Sequence, residues 1–507
     1  MLETTEMERD RDPFRRPISP ENLAEQITLL EKAVAEAEGT LGVKHPDTLA
    51  ARGDLANAYL FVGRFAEALT LHEQNLPICE DMLGPDHADT MQSRDDLGVA
   101  YRSAGRAADA VVLHERNLAL REHLLGSDHP GTVGTRARLA CAQHAAGQPG
   151  PALAGLERAL ADAERVLGPE HQQAAPIRGN LATVYGSAGR IAEAIAKHDQ
   201  NLDIRERAAG PDDPGTLASR HGLAKAYAAA GRLADAVPLL EQVAADRGRV
   251  LGEDSPDTLA SRSSLAAVYS VAGWSDRAIA LHQDTVAAAE KVFGDEHPET
   301  LAFRNDLAAA YARADLTAEA IALLEPTLAV RERRLGADHP DTLASRNDLA
   351  AAYARSGRID EAIALHQRNL ADADRVLGTD HPTTLTSRSN LAAAYARAGR
   401  LAEAVEMHQQ TLADRERVLG PDHPTTLTSC HNLAAAYARS GQLRESIACY
   451  KRTLAGRKRV LGPDHPATRA TRDALTRVRD QRSAALLGWR RRRLPPLAPG
   501  QPAHDRG

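Results

Sequence analysis

Aromatic side chains are scarce: five Phe, ten Tyr and two Trp make up 3% of the 507 residues. A core cannot be assembled from large rings at that level. It must come from Leu, Ala and a few Tyr at close helix approach, which is a helix-forming mixture. Cysteine is limited to Cys79, Cys141, Cys430 and Cys449, with no CxxC spacing, so neither a disulfide framework nor a zinc site is expected. A cytoplasmic location is the simplest expectation. No run of about 18 apolar residues occurs, and the first 20 residues, MLETTEMERDRDPFRRPISP, lack a signal-peptide stretch. Membrane insertion is therefore not expected. Lysine holds only seven positions, and the abundance of Arg, Ala and Gly points to GC-rich coding rather than to function. The net charge of -7 gives no reason to expect nucleic-acid binding. There is no GxxxxGK[ST], no HExxH and no GxSxG, so no nucleotide, metal, other cofactor or catalytic site is expected, and the chain reads as no enzyme.

What is present is a beat. Leu-Gly pairs at Leu41-Gly42, Leu83-Gly84, Leu125-Gly126, Leu167-Gly168, Leu251-Gly252, Leu335-Gly336, Leu377-Gly378, Leu419-Gly420 and Leu461-Gly462 share a register of 42 residues. Ala209-Gly210 and Phe293-Gly294 fill the gaps. A fixed period in the range of about 20 to 50 residues means stacked supersecondary units. The register divides the chain into residues 1–20, expected to be disordered; a capping half repeat, 21–42; ten full repeats, 43–462; a terminal capping helix, 463–489; and a basic, Pro-rich tail, 490–507, also expected to be disordered.

The eighth repeat shows the plan. Pro340 holds the chain extended, with Asp341 or Thr342 expected as N-cap of a helix A over about 342–355. Leu343, Arg346, Leu349, Ala350 and Tyr353 fall within about 120° of one another and form its buried face. Gly357 suits the left-handed turn that closes it, and helix B follows from Ile359 to Leu377, with Ala362, Ile363, His366, Leu370 and Leu377 as its stripe. A lone helix of about 15 residues is marginal in water, so neighbouring repeats must supply the missing face. In the third repeat, Gln143 replaces the Tyr and QPGP (148–151) predicts a shortened or kinked helix B, with looser packing over 141–180.

A period of 42 also suits HEAT or armadillo repeats. The spacing of Leu349, Ala350, Tyr353, Gly357 and Ala362, however, resembles the tetratricopeptide signature. With its DHPDT entry and RERVLG exit, the unit is similar to the 42-residue variety found in kinesin light chains and bacterial relatives. The resemblance runs from Glu21 to Leu487. It implies an all-α, right-handed superhelical solenoid of antiparallel helix pairs, whose helices A line a concave groove that binds proteins or extended peptides. It does not imply one partner.

Superimposing copies separates packing from specificity. The Arg of the buried face recurs at Arg52, Arg94, Arg136, Arg178, Arg220, Arg262, Arg304, Arg388 and Arg472, and is expected to pack its stem and pair its guanidinium within the fold. One histidine column (His45, His87, His129, His297, His339, His381, His423, His465) lies in the loops before helix A, too widely spaced to share a metal. The other (His72, His114, His198, His282, His366, His408) matches Tyr450 and reads as a packing position. On the opposite face of helix A, Ala344, Asp348, Ala351 and Arg355 point away from the repeat's own core. The Arg of that column occurs only as Arg313, Arg355, Arg397 and Arg439. Asp306 and Asp348 can neutralise the first two, while Asn390 and Asn432 accompany the last two. Arginines take carboxylates and amides bind peptide main chain, so a groove site at Arg313, Arg355, Asn390, Arg397, Asn432 and Arg439 preferring acidic peptides is expected. Three functions fit: a non-enzymatic protein- or peptide-binding scaffold; a regulatory peptide sensor whose change of superhelix pitch controls a separate effector; or an enzyme accessory or enzyme with an unrecognised site. The run Trp489–Arg493 reads as a solubilising tail.

Overall fold

The computed structural model describes residues 23–171 and 173–493. Among these residues there are 22 helices and no strand. A helix B-like cap, Leu23–Thr40, precedes ten helix pairs, and Pro466–Arg493 ends the series. In the eighth repeat helix A is Pro340–Arg355 and helix B is Ile359–Leu377. The helix B limits are those the glycines predict, with Gly357 at φ 88° and Gly378 at φ 86°.

The start of helix A differs from expectation. The N-cap is His339: its extended backbone places Nδ1 to accept from the Asp341 N–H at 3.2 Å. The following proline occupies the first helical position, where no N–H is needed. His45, His87, His129, His297 and His423 cap in the same way. The loop histidines are thus helix caps.

The recurrent arginines are struts. Arg346 is fully buried, and its guanidinium donates to Glu332 at 2.7 Å, at the end of the preceding helix B, and to Asp372 at 2.8 Å on its own helix B. Arg136 makes the same two pairings with Glu122 and Asp162, and Arg220 with Glu206 and Asp246. A second rung lies at the Tyr of helix A. Tyr353 donates to Glu325 of the preceding helix B, and Arg358 sits 3.8 Å from its ring centroid. Such contacts tie each repeat to the next, which is how a repeat stack gains stability that its single helices lack.

The chain packs as two units, one ending at Ser387 and the other beginning at Arg388. Within the first, the stack turns back on itself. His297, His339 and His381 donate from Nε2 to the carbonyls of Phe61, Ser103 and Ala145, each pair 236 residues apart, at 3.1, 3.3 and 3.2 Å. His339 also stacks on Phe65, with centroids 5.6 Å apart. Gly63, Gly105 and Gly147 lie under Pro298, Pro340 and Pro382 so closely that a Cβ would come within 2.2, 2.5 and 2.6 Å of the rings. The loops before helix A in repeats seven to nine are therefore seated on the A–B turns of repeats one to three. Each seam histidine uses both nitrogens, Nδ1 as cap acceptor and Nε2 as seam donor, which fixes the neutral tautomer.

Two expectations fail. Helix B of the third repeat, Pro149–Leu167, has the same 19 residues as its counterparts. The region is not loosely packed either: Val133, Leu156, Leu160, Leu181 and Tyr185 belong to the largest buried apolar cluster among the described residues. Pro149 and Pro151 fall in the first turn, where a missing N–H costs nothing. The expected tail also starts late, since the terminal helix continues through Arg493. Arginine is a good helix former. The rest of that tail and residues 1–20 lie outside the described residues.

Candidate peptide-binding groove

The face of helix A that points away from helix B is lined by five positions per repeat, in the eighth Asp341, Ala344, Asp348, Ala351 and Arg355. All five are exposed. In repeats two to five the equivalent residues enclose two adjoining cavities that share Pro176 and Asn180. The smaller, about 390 Å³, lies against Val99, Arg138 and Cys141. The larger, about 560 Å³, lies between helix A of the fourth repeat, Ala174–Ser187, and helix A of the fifth, Pro214–Ala229. Asn180, Thr183 and Ser187 line it from one side and Ala218, Gly222 and Lys225 from the other.

Glycine opens this space. Gly222 stands where seven other repeats carry Asp or Asn, and Gly179 stands where the second and eighth carry Asp95 and Asn347. In the eighth repeat Asn347 meets Nδ1 of His366 at 3.2 Å, and in the second Asp95 meets Nδ1 of His114 at 3.1 Å. At Gly179 there is no side chain, and Nδ1 of His198 is left buried without a partner. Burial, with the Lys225 charge, pushes the His198 pKa down to about 4; burial, with Arg247 and Lys225, takes His221 down to about 3. Both rings are neutral at pH 7. The sequence signal for this cavity was the pair of glycines in two repeats, legible only once the histidine's partner was known.

The charge of the face changes along the chain. None of the residues lining the larger cavity is Asp or Glu, and Lys225 has no hydrogen bond or ion pair among the described residues. In repeats six to eight the face carries Asp257, Glu299, Asp306, Asp341 and Asp348. Asp348 is open to water yet closely surrounded by protein, and this loss of solvent, with the charge of Asp306, raises its pKa to about 6. Glu299 is raised by desolvation and by Asp341, Asp306 and Asp257. Negative charge here exceeds what neighbouring cations offset.

The six residues singled out from the sequence fall in both units. Arg313 and Arg355 are exposed in the first. Arg355 donates to the carbonyl of Ala312 at 2.7 Å, at the end of the preceding helix A. The carboxylates expected to neutralise these arginines bond elsewhere instead: Asp306 accepts from Ser263 at 2.6 Å and Asp348 from Asn305 at 3.4 Å. In the second unit Arg397 and Arg439 are exposed and Asn390 and Asn432 half-buried. Both Arg–Asn pairs lie about two turns apart on their helices, and Thr425 and Thr428 precede Asn432 on the second. The other histidine column is more buried than a merely adaptable position requires, with His72, His114, His282, His366 and His408 almost inaccessible. Among the described residues no three His, Cys, Asp or Glu side chains converge as metal ligands, and no helix is long and apolar enough to cross a membrane.

The tetratricopeptide repeat model matches in overlapping segments, 21–81, 55–122, 90–165, 173–248, 257–325, 302–371, 347–417, 387–459 and 431–484. The chain belongs to the tetratricopeptide repeat family. Among solved structures, this tetratricopeptide repeat protein is similar to the nearly identical repeats of a kinesin light chain described from Podosopora anserina. Identity is 35%, over 40% of this chain and 97% of that one, with a TM-score of 0.35. BtubC (BKLC) from P. vanneervenii matches at 21% identity over 45% of this chain and 92% of its own, TM-score 0.38. A Rap protein complexed with Competence and Sporulation Factor matches at 12% identity over 82% and 98%, TM-score 0.48. No curated protein matches the chain.

Proposed function

We propose that this tetratricopeptide repeat protein is a non-enzymatic scaffold that binds a protein or an extended peptide along the concave face of its helices A. One observation carries the reading. Residues that build the repeat, such as Leu349, Arg346 and the capping His339, recur from copy to copy, whereas the exposed face varies in charge and encloses cavities. An accessible face of a rigid scaffold that varies in charge and holds cavities is where recognition is placed. In the second unit, Arg397 and Arg439 with Asn390 and Asn432 offer cations and amides with no carboxylate in their columns, which supports a preference for acidic peptides there. Arg313 and Arg355, at the end of the first unit, share their face with Asp306 and Asp348, so this preference is confined to the second unit. Affinity purification with mass spectrometry, comparing the native chain with Arg397→Glu/Arg439→Glu, tests this. Loss of a stable partner supports it, and an unchanged partner set refutes the placement.

A second reading is a peptide sensor whose change of pitch controls a separate effector. The seam in the first unit favours it, because a ligand that altered the curvature of that unit would have to strain or release the three histidine contacts. Hydrogen exchange at 337–343, with and without the purified partner, separates the two: the sensor predicts faster exchange on binding, the plain scaffold no change.

A further inference from the structure

We propose that the cavity of the fourth and fifth repeats seats an acidic side chain of an extended peptide on Lys225, and that the basic residues of the same peptide run over the carboxylates of repeats six to eight. The inference rests on the scaffold reading and gives it a chemistry and a direction.

Three observations meet at one place. The cavity has the volume of a side chain and its flanking peptide groups, about 560 Å³, and no carboxylate in its walls. Lys225 is exposed there with no counter-ion among the described residues. His198 is 9% exposed, lines the same space, and its Nδ1 has no partner, while Nδ1 and Cε1 of this ring pack against Gly222 on the cavity wall. A buried polar atom without a partner is costly, and repeats that carry Asp95 or Asn347 avoid that cost. The fourth repeat leaves the position open, as do the sixth and ninth at His282 and His408, and of these three rings it is His198 that lines the cavity. An incoming carboxylate satisfies it: one oxygen accepts from the Lys225 ammonium, and the other from His198 as the Nδ1–H tautomer or from the amide of Asn180, which lines the same wall. A cation does not fit, because Lys225 would repel it.

The neighbouring face has the opposite character. Asp257, Glu299, Asp306, Asp341 and Asp348 present like charges whose mutual repulsion a cationic segment relieves. An acidic residue followed, along the groove, by basic residues matches both stretches at once. A uniformly acidic peptide matches only the first.

The test uses the full chain and fluorescence anisotropy with three labelled probes: aspartates, a Gly/Ser spacer, then lysines; the same composition shuffled; and aspartates alone. The blocked probe, or its order-reversed form, should bind about tenfold tighter than the shuffled one, and Lys225→Ala should weaken it about tenfold, the loss of one charged hydrogen bond. Gly179→Asn keeps the experiment independent of misfolding. A Cβ at Gly179 meets nothing closer than 3.9 Å, and asparagine recreates the partner that His366 already has. This variant should melt at a higher temperature and yet lose the blocked probe. Neutralising Glu299, Asp306 and Asp348 together should reduce that probe to the affinity of aspartates alone. Equal binding of blocked and shuffled probes, insensitivity to Lys225→Ala, or a stabilised Gly179→Asn that binds normally overturns the inference. So does competition by free glutarate as strong as by peptide, which makes the cavity a small-carboxylate site. If a random peptide library yields no binder of any composition, the scaffold reading itself fails; if binders emerge that ignore Lys225, only this inference does.

Discussion

Replacing Gly105 by alanine separates the seam from the repeat that contributes it. Gly105 and Gly357 hold the same place in the A–B turn and the same left-handed backbone, φ 77° and 88°. Alanine at either must adopt a conformation costing about 1–2 kcal/mol, offset by about 0.4–1 kcal/mol from the stiffer unfolded chain. Gly357→Ala is thus expected to cost about 0.5–1 kcal/mol, since its Cβ meets nothing within 4 Å. At Gly105 the Cβ would lie 2.5 Å from Cδ of Pro340, and backbone and ring cannot both stay. The contact must open, losing the His339–Ser103 hydrogen bond and the Phe65–His339 stack. Each is worth about 0.5–1.5 kcal/mol, so Gly105→Ala should cost about 1–3 kcal/mol more than its control. Urea unfolding gives the difference, and hydrogen exchange locates it: amides over 101–107 and 337–343 should exchange faster in Gly105→Ala only. Equal stability losses and equal exchange in the two variants would show that the seam bears no load.

Three further outcomes follow from the same structure. Arg346→Ala strands Glu332 and Asp372, both partly accessible, and should cost about 2–4 kcal/mol in urea unfolding, with Arg346→Lys recovering only part because an ammonium cannot fork to both carboxylates; a loss under 0.5 kcal/mol contradicts the strut. Asp315 is the only non-glycine among the described residues in the left-handed region, φ 60°, at the place of Gly357 in the seventh repeat. Asp315→Gly should therefore raise stability by up to about 1 kcal/mol, and a lower melting temperature refutes that reading. Burial lowers His72, His198, His366 and His408 from 6.5 to about 4. Because the folded state disfavours the charged ring, their contribution is complete above pH 6.5 and is lost as pH falls from 6.5 toward 4, at about 1.4 kcal/mol per pK unit. The urea midpoint should fall steeply across that window, and a flat profile from pH 7.5 to 4.5 is the opposing result.

The plan of one repeat was legible because its punctuation is chemical. Gly357 and Gly378 mark positions that need positive φ, and the Ile359–Leu377 helix lies between them. Arg346 was readable as a strut because a charged residue at the centre of an apolar sector must find partners nearby. The cap is not legible because Asp341 and Thr342 are common capping residues, whereas His339 caps through Nδ1 in an extended backbone, as His87 does even without a following proline. Pro149 and Pro151 suggest a disrupted third repeat only if they fall inside helix B; in the first turn they are tolerated. Nothing in a single copy reveals the seam, since contact across 236 residues depends on the small rotation of each repeat accumulated over several. The cavity was hidden for a related reason: Gly179 matters only through the ring it leaves unpaired. Arg313, Arg355, Arg397 and Arg439 stand out because they differ from the other copies, whereas a side chain that is missing leaves no such mark.

The central claim is that recognition occurs on the inner face of helices A. A benzophenone-bearing residue placed at Thr183 or Arg397, on that face, and at Ala196, exposed on helix B of the fourth repeat, tests it by photocrosslinking in the source cells. Recognition on the inner face predicts one crosslinked protein partner from positions 183 and 397 and none from 196. Capture of the partner from 196, with positions 183 and 397 silent, would place binding on the outer surface and contradict it.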